Sequence, residues 1–365
     1  MKYPIVKPYL PSQDKYQRYV NGIFDRNYLT NNGPLVQLLE QRLAQYLGVD
    51  YILLVANGTL ALNVAYAALD VSGKVITTPF SFAATTSSLC WYGIEPQFVD
   101  INAKTLNLDT TNISTEQAAM ASAILAVHVF GNPCQVDNIA KLAKKHQLKV
   151  IYDAAHAFTS ELSGQALVSY GDAATLSFHA TKLFHCVEGG AVIFKDKTSY
   201  EKAKKIINFG FDQDNKPIHV GINAKMSEFH AAMGLAVLDD IDYITAKRRE
   251  LINRYHQKLA HVDQIKCQNW HVMEQRNGAY MPIIFVSETL QLDIAQLLAK
   301  AGVQTRRYFY PSLSQVDVYG LHGETPIAND ISTRILCLPM YTDLMLVDVD
   351  YICDCLIKAI EQVVV

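Results

Sequence analysis

The sequence predicts an α/β protein: a large domain built on a mostly parallel sheet, and a smaller C-terminal α+β domain. Two observations predict it. Short continuous apolar runs alternate with helix-patterned stretches between residues 51 and 194, which is how strands covered on both faces read. Beyond a long helical stretch the alternation gives way to the run YMPIIFV and the helical pattern LDIAQLLAKAG, an α+β arrangement.

The elements follow in order. Residues 1–34 are rich in turn formers and read as irregular. Asn32-Gly33-Pro34 marks a helix start, with proline at the first helical position. Leu35, Leu38, Leu39, Leu43, Tyr46 and Leu47 then fall on one helical face,. YILLVA is the first strand, followed by the turn Asn57-Gly58-Thr59 and a helix through Leu69. KVITTP is the second strand, a helix follows near 82–92, and PQFVD is the third strand. SAILAVHVF is a fourth strand, with a helix at about 135–147, and KVIYD is a fifth. TLSF and GGAVIF complete the set. A helical stretch from about 226 to 260 leads into the smaller domain, and the last helix reads as about 346–362. The chain has 365 residues, enough for about two domains,. The expected division is 1–245 for the large domain and 246–365 for the small one.

Composition narrows the function. Half of the residues are hydrophobic and 18% are charged, a normal globular balance with ample material for a core. The net charge of −3 offers no basic footprint for nucleic acid or an anionic membrane. The seven cysteines are scattered without a CxxC pair, so neither a zinc ribbon nor a disulfide framework is expected. Reduced thiols in a cytoplasmic protein are the simpler reading. The start MKYPIVKPYLPSQ has no apolar signal core,, and no apolar run is long enough to span a bilayer. The histidines show no metal-ligand spacing, so no metal is expected.

Two residues carry the chemistry. Asp153 closes the apolar run KVIYD, where a carboxylate is costly unless it is paired,. Lys182 follows a second strand, in SFHATKLFHCVEGGAV. In a parallel sheet both strand ends open on one crevice. A lysine amine condenses with an aldehyde, and a carboxylate keeps a pyridine nitrogen protonated. Together they point to pyridoxal 5'-phosphate (PLP). A freed lysine can also shuttle a proton.

Each residue has a plainer reading beside this one. A strand-end lysine is ordinarily a solvated charge, and Asp153 could cap the following helix. Gly58 and Thr59 lie in a strand–turn–helix junction of the kind that cradles phosphate, and Ser177 could add a hydroxyl, yet most such turns bind nothing. Phe82 could stack on a cofactor ring or pack in the core. His156 could bond the ring oxygen or be structural. Asn223, in GINAKMSEF, could cap a helix. No GxGxxG follows the first strand, which argues against a nicotinamide-dependent dehydrogenase. A protein of this fold that only binds or regulates is a further alternative.

The motifs TNNGPLVQLLEQRLAQYLGV, ANGTLAL, VITTPFSFAATTSSL, VHVFGNPC, VIYDAAHAF, LSFHATK with EGGAV, GINAKMSEFHAAMGL and GVQTRRYFYP occur in this order over roughly residues 5–360. As a set they resemble the DegT/DnrJ/EryC1/StrS nucleotide-sugar aminotransferases, PLP-dependent transferases of fold type I (aspartate aminotransferase-like). The resemblance implies that Lys182 bonds the cofactor and Asp153 binds its pyridine nitrogen. It implies that Gly58, Thr59 and Ser177 hold the phosphate, that Phe82 stacks on the ring and that His156 contacts it. Asn223 matches the asparagine that reaches the phosphate of the neighbouring subunit, so a homodimer with interfacial active sites is expected. Lys225 stands where the family usually has arginine, and the two are not interchangeable at a bidentate site.

Relatives with histidine at the lysine position dehydrate the sugar instead, and His185 does not occupy that position, so Lys182 favours transamination. The implied donor is L-glutamate. The implied acceptor is a dTDP-4-keto-6-deoxyhexose aminated at C4 for O-antigen or other surface glycan synthesis, because SFHATK resembles members acting at C4. A UDP-linked or a C3-keto sugar is the alternative. Lys225, Arg306, Arg307 and Tyr310 are the candidates for the sugar nucleotide, each arginine with a surface ion pair as its plainer reading.

Overall fold

The apolar runs form a sheet with helices on both of its faces. The computed structural model describes residues 2–271, 276–319 and 324–364. The chain begins with α1 (Gln13–Arg26), α2 (Pro34–Leu47), β1 (Tyr51–Val55), α3 (Gly58–Ala68), β2 (Lys74–Thr77), α4 (Ala83–Trp91) and β3 (Glu95–Phe98). It continues through α5 (Thr115–Met120), β4 (Ala121–Val127), α6 (Val136–His146), β5 (Lys149–Asp153) and the short hairpin β6 (Glu161–Leu162) and β7 (Gln165–Ala166). Next come β8 (Ala173–Ser177), β9 (Gly190–Phe194), α7 (Lys197–Ile206), α8 (Glu228–Leu238) and α9 (Ile241–Leu259). The C-terminal part holds β10 (Ile265–Cys267), β11 (Met281–Phe285), α10 (Glu288–Lys300), α11 (Pro326–Arg334), β12 (Ile335–Leu338) and α12 (Leu346–Val364).

Seven strands make one sheet in the order β1-β9-β8-β5-β4-β2-β3. Its pairs are parallel except where β9 runs antiparallel to β1 and β8. Alternating strand residues feed two cores, as the pleat requires. Leu54, Ile124, Tyr152 and Leu176 cluster with Leu39 and Leu43 of α2 and Leu235 of α8. Leu53, Leu125, Ile151 and Val192 cluster with Ala61 and Ala65 of α3 and Ala203 of α7. A second, antiparallel sheet, β10-β11-β12, packs through Met281, Phe285 and Leu338 on Leu251 and Tyr255 of α9, Leu298 of α10 and Leu356 of α12. Tyr3 joins that second core from the N-terminal segment. The position expected to divide the domains, after residue 245, lies inside α9. Ile241 and Ile244 of that helix pack in the large-sheet core and Leu251, Ile252 and Tyr255 in the small-sheet core. Among the described residues no helix is long and apolar enough to cross a membrane.

Four local expectations are corrected. The first 34 residues are not irregular throughout, because α1 forms there with Ser12 as its cap and Val20 and Ile23 buried. The stretch 226–260 is two helices, broken at Asp239-Asp240. The strand expected over SAILAVHVF ends at Val127, since Phe130 takes a left-handed conformation (φ 58) in the following turn. On α2, Leu35, Leu39, Leu43 and Leu47 are buried as expected, whereas Leu38 and Tyr46 are exposed.

Candidate active site

The carboxyl ends of β5 and β8 and the first turns of α3 and α4 enclose one cavity of about 390 Å³. Gly58, Thr59, Phe82, Asp153, His156, Ser177, Lys182 and Arg306 all line it. Eight residues from distant parts of the sequence therefore meet where a parallel sheet collects its ligands.

Asp153, the last residue of β5, is 7% exposed. Its Oδ2 accepts from Thr85 Oγ1 at 2.8 Å, and its Oδ1 from the Ala155 N–H at 3.1 Å. Burial pushes this carboxyl above its usual range, opposed by the Thr85 and Ala155 hydrogen bonds and by the Lys182 charge. Two accepted bonds leave lone pairs for a further donor. The Ala155 bond closes a local turn, and the β6–β7 hairpin follows, so there is no helix for Asp153 to cap as its plainer reading had it. Lys182 lies in the loop between β8 and β9. Burial pulls its amine below the usual lysine value, opposed by Asp153. A lysine held closer to neutrality is a better nucleophile. Its Nζ lies 3.3 Å from the Tyr280 hydroxyl.

His156 Nδ1 accepts from the Phe130 N–H at 3.2 Å. Burial lowers its pKa well below the usual histidine value, helped by Lys182. The ring is thus neutral with its proton on Nε2, free to donate one hydrogen bond. Its ring lies nearly parallel to Phe309, with centroids 5.7 Å apart. Phe82 lines the cavity and is 56% exposed, so it does not pack in the core as its plainer reading had it.

At the head of α3, the Asn57 side chain accepts from the Leu60 N–H at 2.8 Å. Helix geometry leaves the N–H groups of Gly58 and Thr59 without an intrahelical acceptor, and the helix dipole favours an anion there. The turn is closely crowded. A Cβ on Gly58 would stand 2.8 Å from the Ser177 Cβ, and one on Gly190 would stand 2.6 Å from the Asn57 carbonyl. Glycine at 190 thus lets β9 begin against the anion turn. This donor set fits PLP: an N-terminal anion cradle, an amine of lowered pKa, a buried carboxylate, an open ring face and a neutral imidazole donor.

Four expected residues are not in the cavity. Asn223 forms a backbone bridge with Asn208, and Ser227, not Asn223, caps the following helix. Lys225 Nζ donates to Asn208 Oδ1 at 2.8 Å. Arg307 is ion-paired with Glu288 at 2.8 Å, its plainer reading, and stacks 3.4 Å over the Tyr310 ring. Of the four candidates for the sugar nucleotide, Arg306 alone lines the cavity, its guanidinium 4.8 Å over the Tyr308 ring. Sequence reading missed Thr85, Tyr280, Tyr308 and Phe309. Thr85 sits one helical turn after Ser81, in the quoted motif VITTPFSFAATTSSL, and spacing alone could have flagged it. Tyr280 carries no such local signal, because only tertiary folding brings it to Lys182.

Comparisons with known proteins identify the family. The model of the DegT/DnrJ/EryC1/StrS aminotransferase family matches residues 12–357. A dTDP-4-amino-4,6-dideoxy-D-glucose transaminase of Shigella dysenteriae is 40% identical over 353 residues, covering 95% of this chain and 96% of the relative. Its Escherichia coli namesake is 37% identical over 359 residues, covering 93% and 94%. The structure of DesI in the presence of its TDP-sugar product superposes with a TM-score of 0.93 at 31% identity, covering 99% of this chain and 94% of that one. A family match over nearly the whole chain and two relatives above 30% identity leave one assignment: the chain belongs to the DegT/DnrJ/EryC1/StrS aminotransferase family.

Proposed function

We propose that the chain is a PLP-dependent aminotransferase that moves the amino group of L-glutamate to C4 of a dTDP-4-keto-6-deoxyhexose. The products are 2-oxoglutarate and dTDP-4-amino-4,6-dideoxyglucose, the latter destined for O-antigen or another surface glycan made from the cytoplasm. The observation that carries this reading is the convergence of Lys182 and Asp153 on one cavity headed by the Gly58-Thr59 turn. The choice of C4 and of the dTDP sugar is supported by what the Shigella and Escherichia relatives are named for.

When bound, PLP supplies an aldehyde for the lysine amine and a protonated ring that draws electrons from the carbon losing its proton. The protein supplies the rest. The Gly58 and Thr59 N–H groups and the Ser177 hydroxyl bind the phosphate. Asp153, whose carboxyl burial raises and Thr85, Ala155 and Lys182 draw back down, would pair with the ring nitrogen and hold it protonated. His156 donates from Nε2 to the ring oxygen. The Lys182 amine would take the proton from the donor's α-carbon and return one to the sugar carbon. Arg306 offers its guanidinium at the mouth of the cavity to an anionic group of donor or acceptor. Asn223, absent from its own chain's cavity, serves the phosphate of a partner subunit in a homodimer.

The test is the visible absorption spectrum of the purified protein, before and after L-glutamate. A yellow band that bleaches with glutamate is expected, and restoration of the band by a dTDP-linked 4-keto-6-deoxyhexose, but not by UDP-linked or 3-keto sugars, completes it. A chain that gains no band when PLP is supplied would overturn the reading.

A further inference from the structure

Tyr280 is a cavity residue to which no role has been given. Its hydroxyl oxygen lies 3.3 Å from Lys182 Nζ. Aromatic neighbours hold its ring, with centroids at 4.6 Å for His156, 5.3 Å for Phe130 and 5.6 Å for Tyr308. The backbone that delivers it is fixed as well. Gly278 has φ +69, and a Cβ there would stand 2.6 Å from the Arg248 carbonyl oxygen, so glycine alone fits. Arg248 Nη1 donates to the Gly278 carbonyl at 3.1 Å. Asn277 Oδ1 accepts from the Ala279 N–H at 3.0 Å, while Asn277 Nδ2 donates to the carbonyls of His156 at 2.8 Å and Phe158 at 3.2 Å. Arg248 and Asn277 are both buried. Residues 277–280 thus tie the start of β11 to the loop after Asp153, and they bring one hydroxyl to one amine.

That placement answers a problem of the reaction. Lysine carries about 2 kcal/mol of rotamer entropy, and a proton-transfer group works only within hydrogen-bond reach of its target. The amine is bonded to the cofactor for part of the cycle and loose for the rest. Left loose beside Asp153, it would be drawn into an ion pair as ammonium, which cannot attack an aldehyde. A neutral hydroxyl is a better holder, because it accepts from the ammonium and donates to the free amine. Burial pushes the Tyr280 phenol up and keeps it neutral.

We infer that Tyr280 is a positioning residue for Lys182, its hydroxyl keeping the amine aimed at the cofactor whenever the two are not bonded. The inference rests on the proposed role of Lys182. The test compares Tyr280→Phe, which keeps the ring and its packing, with the wild type, and repeats the comparison in a Lys182→Ala background. Two quantities are read: the rate at which apoprotein captures added PLP covalently, by absorbance, and the non-covalent PLP affinity of the Lys182→Ala proteins, by fluorescence quenching. Loss of the hydroxyl should slow covalent capture about tenfold, the size of one hydrogen bond to an ionisable group. The affinity in the Lys182→Ala background should not change. Equal capture rates, or an equal loss when Lys182 is absent, would overturn the inference and leave Tyr280 a packing residue. A wild-type apoprotein that captured no PLP would overturn the cofactor reading itself, and the role of Tyr280 with it.

Discussion

At the scale of single residues the proposed chemistry depends on a carboxyl inside a core, that of Asp153. Its nearest support is Thr85, whose hydroxyl also meets Ser81 Oγ at 2.7 Å. Burial raises the Asp153 carboxyl and the Thr85 hydrogen bond lowers it. Thr85→Val keeps the side-chain shape and deletes the donor, so the carboxyl must move further up. A protonated Asp153 cannot hold the ring nitrogen protonated, so activity is lost as pH falls through the carboxyl's pKa. The acid limb of the kcat/KM profile should therefore move to higher pH, by about one unit for one lost bond to a carboxylate. Superimposable profiles for Thr85→Val and wild type would show that the hydroxyl plays no part. Asp153 and Lys182 were legible in the sequence because a charged residue at the end of an apolar strand needs a reason. Thr85 was not, because it supports Asp153 across 68 positions of chain, and such pairings arise only on folding.

Secondary-structure elements show the same division between local and distant causes. The seven strands of the large sheet, β11, and α3, α4, α6 and α10 follow from periodicity and turns, whereas β6, β7 and β10 are too short to announce themselves and β12 went unread. α1 was obscured by Asn21-Gly22, a turn-like pair that the helix tolerates because Val20 and Ile23 are buried. The break between α8 and α9 has no glycine or proline to announce it. It is held by distant cations: Asp239 pairs with Arg42 at 2.7 Å and Asp240 with Lys15 at 2.5 Å. A further such link joins α2 to β1. Glu40 Oε1 accepts from the Leu54 N–H at 2.9 Å, and burial pushes its carboxyl up from 4.5 to about 7. Between these two values the unfolded chain loses the Glu40 proton while the folded chain keeps it, so the folded state loses stability as pH rises through this window. Glu40→Gln keeps a carbonyl for Leu54 and cannot ionise. It should be more stable than wild type by about 1 kcal/mol above pH 7, a figure discounted for partial solvent contact. The difference should shrink as pH falls towards 4.5. Urea unfolding of both proteins at acidic and alkaline pH measures it, and a constant gap would refute the assignment.

For the whole molecule, one chain's fold does not account for one of its own motifs. GINAKMSEF supplies Asn223, yet Asn223 is bridged to Asn208 away from the cavity of its own chain. The loop around it exposes Phe209, Ile218, Val220 and Ile222, with Val220 96% exposed. Apolar side chains exposed together in one loop suit the subunit interface proposed above. Periodicity and spacing describe contacts within a chain, so the place proposed for Asn223 rests on the family resemblance alone. The proposed homodimer makes a quantitative prediction. Lys182→Ala alone should be inactive, and Asn223→Ala alone should be weakly active because it retains PLP poorly. In a mixed dimer, the intact Lys182 of one subunit meets the intact Asn223 of the other in one site, while the second site carries both lesions. Random reassortment of equal amounts makes half of the dimers mixed, so about a quarter of all sites should regain wild-type turnover. The measurement is activity after the two variants are unfolded and refolded together, against each refolded alone. Recovery near that level requires a site shared between subunits. Activity no higher than the average of the two separate variants would place Asn223 in its own chain's service, and the loop that carries it would need another explanation.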